Sequence, residues 1–222
     1  MSPRAGLHPI AGIHVLADDD PSWPLGPVDQ AVAACDGGAA VVQLRTKHAT
    51  DGQTLEWARA IRSITRLAGV CFILNDRFDL ALAAEADGVH LGQSDLPPAR
   101  LPDSALDRLT FGLSTHDLSQ VAAAAEEADY VAFGPIFGTQ SKVSAHPAPG
   151  LRALEEAVRL ASPVPLVAIG GIGAANISAI KNAGAAGAAV ISAVAAATDP
   201  VAATRDLSEL FKRTNRGSPE ET

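Results

Sequence analysis

Short apolar runs recur along the chain, and each is followed by a stretch of helical pattern. The runs lie near 12–16 (GIHVL), 40–44 (AVVQL), 71–74 (CFIL), 88–91 (GVHL), 110–113 (TFGL), 130–133 (YVAF), 165–169 (PLVAI) and 187–191 (GAAVI). A strand that is apolar throughout, rather than at every second residue, is buried on both faces. That is the state of a parallel sheet covered by helices. Six such units would suit an open doubly wound sheet, whereas eight point to a single α/β domain, a (β/α)₈ TIM barrel, over 1–222.

The helical stretches fit between the runs. Leu55, Ala58, Ile61, Ile64 and Leu67 predict a helix from Thr54 to Leu67. Others are expected from Asp117 to Ala128 and from Ala174 to Ala183, the latter stopped by Gly184. Segment 97–109 is too rich in proline for a full helix, so the fourth crossover is abbreviated. The polar tail at about 213–222 is expected to fray. Only 4% of residues are aromatic, so Ala, Val, Leu and Ile must fill the core.

Charge and composition exclude several functions. A net charge of −8 is wrong for nucleic acid, whose phosphates need a basic face. An anion site here must be a local cluster. No apolar stretch is long enough to span a membrane, and the first ten residues lack the apolar core of a signal peptide. Cys35 and Cys71 form neither a metal motif nor a disulfide framework, which suits a reducing cytoplasm.

The polar residues gather just after the strand ends, where a barrel builds its active site. In Gln43, Arg45 and Lys47 the spacing of two puts an amide, a guanidinium and an ammonium on one side of an extended backbone, with Leu44 on the other. This cluster suits a phosphate; equally, it can be a solvated strand end with rim ion pairs. Asp76 and Asp95 follow strands three and four. Neighbouring strands lie about 4.8 Å apart, so both carboxylates can reach one Mg²⁺. Taken singly, each is better read as a cap or turn residue; as a pair beside the cations, they favour the metal.

The turn AIGGIGAAN carries Gly170, Gly171 and Gly173 between a strand and a helix, a place where N–H groups meet an anion. Asn176 stands where a dinucleotide fingerprint needs its last glycine, and the remaining chain is too short for such a domain. Ile191-Ser192 supplies the matching eighth strand end. The loop from Phe133 to Gly150 is either a lid carrying Lys142 or a plain connector. Ser114 and His116 lack the nucleophile elbow. His90 reads as a packed interior residue, and Asp18-Asp19-Asp20 as a solvated loop.

On these residues the chain resembles the thiamine phosphate synthase family. The resemblance rests on QLRTK (Gln43 to Lys47), LNDRFDLA (Leu74 to Ala81), DGVHLGQSDLP (Asp87 to Pro97), GLSTHD (Gly112 to Asp117), FGPIFGTQSK (Phe133 to Lys142) and AIGGI (Ala168 to Ile172). It implies a transferase that joins 4-amino-2-methyl-5-(diphosphooxymethyl)pyrimidine to 4-methyl-5-(2-phosphoethyl)thiazole, releasing pyrophosphate. Gln43, Leu44, Arg45, Thr46, Lys47 and Asn75 would bind the pyrimidine side, with Asp76 and Asp95 on Mg²⁺. Ser114 would face the pyrimidine, and Lys142 would grip the pyrophosphate. Thr139, Gln140, Ser141, Gly171, Ile191 and Ser192 would hold the thiazole phosphate. Arg45, Lys47, Ser114 and Lys142 would be the catalytic set. The family is often dimeric, which makes a homodimer compatible with the resemblance.

Three positions depart from the family pattern: Gly138 for the more usual Pro, Ser141 for Thr, and a bulky Leu113 before the serine. A thiazole tautomerase would lack the Asn75-Asp76 pair and carry His in place of Pro135. A non-catalytic phosphate-binding barrel would have a broken metal pair. A sugar-phosphate epimerase or aldolase would need a base pair or a buried Schiff-base lysine.

Overall fold

The computed structural model describes residues 10–138 and 149–213. Strand β1 (Gly12–Asp18) pairs in parallel with β2 (Val41–Arg45) on one side and with β8 (Gly187–Val190) on the other. Between β2 and β8 follow β3 (Cys71–Asn75), β4 (Gly88–Leu91), β5 (Thr110–Thr115), β6 (Tyr130–Phe133) and β7 (Leu166–Ile169). Each strand is hydrogen-bonded to the next, and the order β1 to β8 closes into a barrel. All eight expected strands are present. Four reach further toward the rim than their apolar runs, β1 to Asp18, β2 to Arg45, β3 to Asn75 and β5 to Thr115, because polar residues there still pair in the sheet.

Around the barrel run α1 (Pro27–Asp36), α2 (Asp51–Ala68), α3 (Phe78–Ala83), α4 (Asp103–Leu106), α5 (Leu118–Glu127), α6 (Gly150–Ala161), α7 (Ile177–Asn182), α8 (Ser192–Ala195) and α9 (Pro200–Lys212). The fourth crossover is only a 3₁₀ turn (Pro98–Arg100) and the single turn α4, since Pro97, Pro98 and Pro102 offer no N–H to a helix. Helix α2 starts a turn earlier than its apolar stripe because the Thr50 hydroxyl caps the Gln53 N–H, and it ends on Gly69 in the left-handed conformation. Helix α7 is shorter than the sequence suggests: the turn before it extends to Asn176. Among the described residues no helix is long and apolar enough to cross a membrane.

Alternation along the strands divides the apolar residues into two cores. Ile13, Val15, Val42, Leu44, Phe72, Leu74, Val89, Phe111 and Val131 face outward and pack under the helices. Ile10, Leu16, Val41, Cys71, Ile73, Tyr130, Val167 and Ala189 fill the barrel interior. Burying one large apolar side chain stabilises by about 1.5–3 kcal/mol, so both layers are needed to offset chain entropy. Tyr130 is the largest interior group, and Gly112 on the adjacent strand makes room for it. A Cβ there would lie 2.1 Å from a Tyr130 ring carbon.

His14 is also interior. Its Nε2 bonds the Ile10 carbonyl at 2.7 Å, and its ring meets Tyr130 edge-on. Burial holds its pKa down at about 4, well below its ordinary 6.5, with the Ile10 carbonyl opposing that shift. In the unfolded chain this imidazole takes up a proton as the pH falls through 6.5; in the fold it resists until about 4. Its contribution is therefore complete above pH 6.5 and is lost as pH falls toward 4, by about 3 kcal/mol. Urea unfolding at stepped pH is expected to show this slope, and His14→Gln, which keeps an N–H but cannot titrate, to flatten it. Equal slopes in both proteins would contradict the assignment.

Candidate active site

The ends of β2, β3 and β4 build one side of the barrel mouth. Gln43 is buried on β2, and Arg45 two residues on is paired with Asp18 at the end of β1. Lys47 reaches across to Asp76, with Nζ to Oδ2 at 2.5 Å. Asp76 itself has φ +66°, a conformation few non-glycine residues adopt. The Arg77 N–H donates back to the Asn75 carbonyl at 2.8 Å and the Asp76 N–H to the His90 carbonyl at 2.7 Å. This tight turn directs the Asp76 carboxylate toward Lys47 instead of capping α3, whose N-terminus has no side-chain cap.

Asp95 arrives from the loop after β4. Its carboxylate accepts the Gly92 N–H at 2.7 Å, which folds the loop back toward the rim. Burial pushes the Asp95 carboxyl above its ordinary range; the Gly92 N–H opposes this, the neighbouring Asp76 carboxylate adds to it, and Lys47 partly offsets it. The two carboxylates are thus mutual neighbours, each following the end of one of two adjacent strands. Asp18, Asp76 and Asp95 face two described cations, Arg45 and Lys47. That excess of negative charge favours a cation here before an anion. The donor set suits Mg²⁺, which takes one or two carboxylates and completes its shell with water and phosphate oxygens. Among the described residues no group of three or more His, Cys, Asp or Glu could cage a metal.

The Asp18-Asp19-Asp20 segment is not a solvated loop. Asp18 is the buried last residue of β1. Asp19 accepts the N–H groups of Lys47, His48 and Ala49 at 2.7, 2.9 and 2.8 Å. Partial burial opposes its charge, but those three N–H groups outweigh it and hold its carboxyl below the usual range. Asp20 accepts from Ser22. A run of three acids reads as a hydrophilic loop because the partners of Asp18 and Asp19 include Arg45 and the N–H groups of Lys47, His48 and Ala49, all far off in sequence.

Across the mouth, β5 presents Ser114. His90 Nε2 bonds the Ser114 hydroxyl at 2.8 Å, and His90 Nδ1 bonds the Tyr130 hydroxyl at 2.8 Å. Burial keeps that phenol protonated by raising its pKa. The interior placement of His90 holds, and it also links the packed core to a mouth residue. The arrangement is not a hydrolase triad, since a phenol rather than a carboxylate meets the imidazole. His116 turns away to the Gly134 carbonyl at 2.7 Å.

The third part lies at the ends of β7 and β8. Gly170 and Gly171 have φ +100° and +64°, and a Cβ on Gly170 would lie 2.4 Å from Pro135. Asn176 clamps this turn: it accepts the Gly173 N–H and donates to the Gly171 carbonyl, both at 2.9 Å. The residue that breaks the dinucleotide fingerprint is thus the one that shapes the turn. Gly171, Gly173, Asn176 and Ser192 line a cavity of about 640 Å³, and Trp23 also lines it. Ile191 packs on the interior core beneath it. Trp23 carries no sequence signal because it follows an acidic run that reads as a solvated loop.

Leu44 faces the outer core, and Thr46 accepts a hydrogen bond from Thr54 in the first turn of α2. Asn75 ends β3 at the rim beside Asp76. Thr139, Gln140, Ser141 and Lys142 lie outside the described residues.

A family model described as thiamine monophosphate synthase matches residues 13–194. The chain belongs to this family. It is 48% identical over 183 residues to the thiamine-phosphate synthase of Chloroflexus aurantiacus, covering 82% of this chain and 84% of that one. It is 47% identical over 196 residues to that of Methanoculleus marisnigri, covering 88% and 92%. Among solved structures, thiamine phosphate pyrophosphorylase from Pyrococcus furiosus superposes with a TM-score of 0.79 at 33% identity, over 90% of this chain and 95% of that one. The family's barrel is therefore the one described above.

The charges at the mouth are testable without any ligand. Asp76→Asn removes the like charge and is expected to lower the Asp95 pKa; Lys47→Met removes the opposing charge and is expected to raise it. Carboxyl-carbon NMR titration reads both, and shifts of the same sign would contradict the arrangement.

Proposed function

We propose that this chain is a transferase that condenses 4-amino-2-methyl-5-(diphosphooxymethyl)pyrimidine with 4-methyl-5-(2-phosphoethyl)thiazole to give thiamine phosphate and pyrophosphate. The observation that carries this reading is two unlike polar clusters in one mouth: a carboxylate pair near Arg45 and Lys47 on one side, which with a bound cation would suit a diphosphate, and the glycine turn with Ser192 on the other, which would suit a phosphate monoester. A condensing enzyme must hold two phosphorylated substrates at once. Membership of the family supports the same reading.

Gln43 and Asn75 present amides to the aminopyrimidine, and Ser114, held by His90, presents a hydroxyl to it. Arg45 and Lys47 stabilise charge as the methylene C–O bond breaks and the electron pair departs with pyrophosphate. A pyrimidine methyl cation remains, stabilised by its ring. The thiazole nitrogen then donates its lone pair to that carbon, forming the new C–N bond. No protein nucleophile is required, which agrees with a serine whose imidazole partner meets a phenol at its other ring nitrogen. Gly171 and Ser192 anchor the thiazole phosphate so that the nitrogen is already close when the cation forms. By the family resemblance, Lys142, with Thr139, Gln140 and Ser141, would complete the anion contacts. Asp76 and Asp95 would hold Mg²⁺, which when bound neutralises charge on the diphosphate. Cys35 and Cys71 are free thiols, Cys71 buried; they suit a reducing cytoplasm.

Incubation with both substrates and Mg²⁺ is expected to yield thiamine phosphate and pyrophosphate in equal amounts. Asp76→Ala and Asp95→Ala are each expected to reduce turnover by at least about 10³-fold while circular dichroism stays native, the scale of losing transition-state charge stabilisation. Absence of product from the native chain would overturn the function; full activity in both variants would overturn the metal role.

A further inference from the structure

Strand β1 lies between β8 and β2 in the closed barrel, so its end stands between the two anion sites. Asp18 occupies that end, 2% exposed. Its backbone is fixed from both directions by Gln30 of α1, itself fully buried. Gln30 Oε1 accepts the Asp18 N–H at 3.0 Å, and Gln30 Nε2 donates to the Asp18 carbonyl at 2.9 Å and the Leu25 carbonyl at 2.7 Å. The carboxylate divides its two oxygens. Oδ2 accepts from Arg45, on the diphosphate side. Oδ1 accepts the Asp20 N–H at 3.0 Å and the Trp23 indole N–H at 2.9 Å, on the monophosphate side.

Trp23 is half-buried and lines the same cavity as Gly171, Gly173, Asn176 and Ser192. Pro21 and Pro24 flank it and restrict the loop that carries it. An indole costs little entropy to order and offers a flat apolar face. With the phosphate seated on the glycine turn, the ring of the ester needs such a face; a solvated loop does not.

Resting on the function proposed above, we infer that Asp18 is a positioning residue shared by both substrates, and that Trp23, held by it, is the wall that selects a heteroaromatic phosphate monoester. Asp18 sets Arg45 for the diphosphate and Trp23 for the thiazole through one carboxylate. Loss of Trp23 then harms one substrate, and loss of the Asp18 charge harms both.

Steady-state kinetics of the full chain with Mg²⁺, varying each substrate in turn, tests this. Trp23→Ala is expected to raise KM for the thiazole phosphate about ten-fold and leave KM for the pyrimidine diphosphate within about two-fold, with Trp23→Phe recovering most of the loss. Asp18→Asn is expected to raise both KM values. In a Trp57→Phe background Trp23 is the only tryptophan. Its emission is expected to shift on adding the thiazole phosphate, and the shift to vanish in Asp18→Asn. A native chain that forms no product overturns the proposed function and this inference with it. A native chain that forms product, while Trp23→Ala keeps both KM values and Trp23 emission ignores the thiazole phosphate, overturns the inference alone.

Discussion

Closure of eight parallel strands is the constraint on which everything else in this chain depends. Closure requires β1 to pair with β8, and the two meet at Gly12 and Gly187, where a Cβ on Gly187 would approach the Gly12 carbonyl oxygen to 2.8 Å. Once closed, all strand ends point to one rim, and residues far apart in sequence become neighbours. Asp18 and Arg45 are 27 residues apart, and Lys47 and Asp76 are 29 apart. Neither pair exists without the sheet.

The interior has to be filled with little aromatic material, and the way it is filled reaches the mouth. Tyr130 occupies the space that Gly112 leaves and meets His90, and His90 meets Ser114. A chain of hydrogen bonds therefore runs from the packed centre to the rim. Buried polar groups of this kind are costly unless every member is partnered, and a partnered network is rigid. Rigidity is what a site needs when catalysis rests on fixed charges and positions rather than on a covalent intermediate.

Much of the architecture was legible in the sequence because its signals are local. Continuous apolar runs marked all eight strands, and the prolines around 97–102 marked the short fourth crossover. The site was partly legible as residue types at strand ends: Lys47, Asp76 and Asp95 come together, while Arg45 pairs with Asp18 on the neighbouring strand. What escaped was pairing at a distance. Asp18 looked solvated because its partners, Arg45, Trp23 and Gln30, carry no motif that points back to it. Asn176 looked like a broken fingerprint because its clamp on Gly171 and Gly173 exists only once the turn has formed. His90 is interior as its sequence position suggests, but its link to the rim was not legible because Tyr130 and Ser114 lie on other strands.

The central claim is that the mouth holds a diphosphate and a phosphate monoester on opposite sides at the same time. A crystal structure of the chain with Mg²⁺, pyrophosphate and thiamine phosphate tests it most directly. Pyrophosphate is expected beside Arg45, Lys47, Asp76 and Asp95, with the phosphate of thiamine phosphate on Gly171 and Ser192 and its pyrimidine near Ser114. Both anions on one side of the mouth, or the product phosphate among the carboxylates, would contradict it.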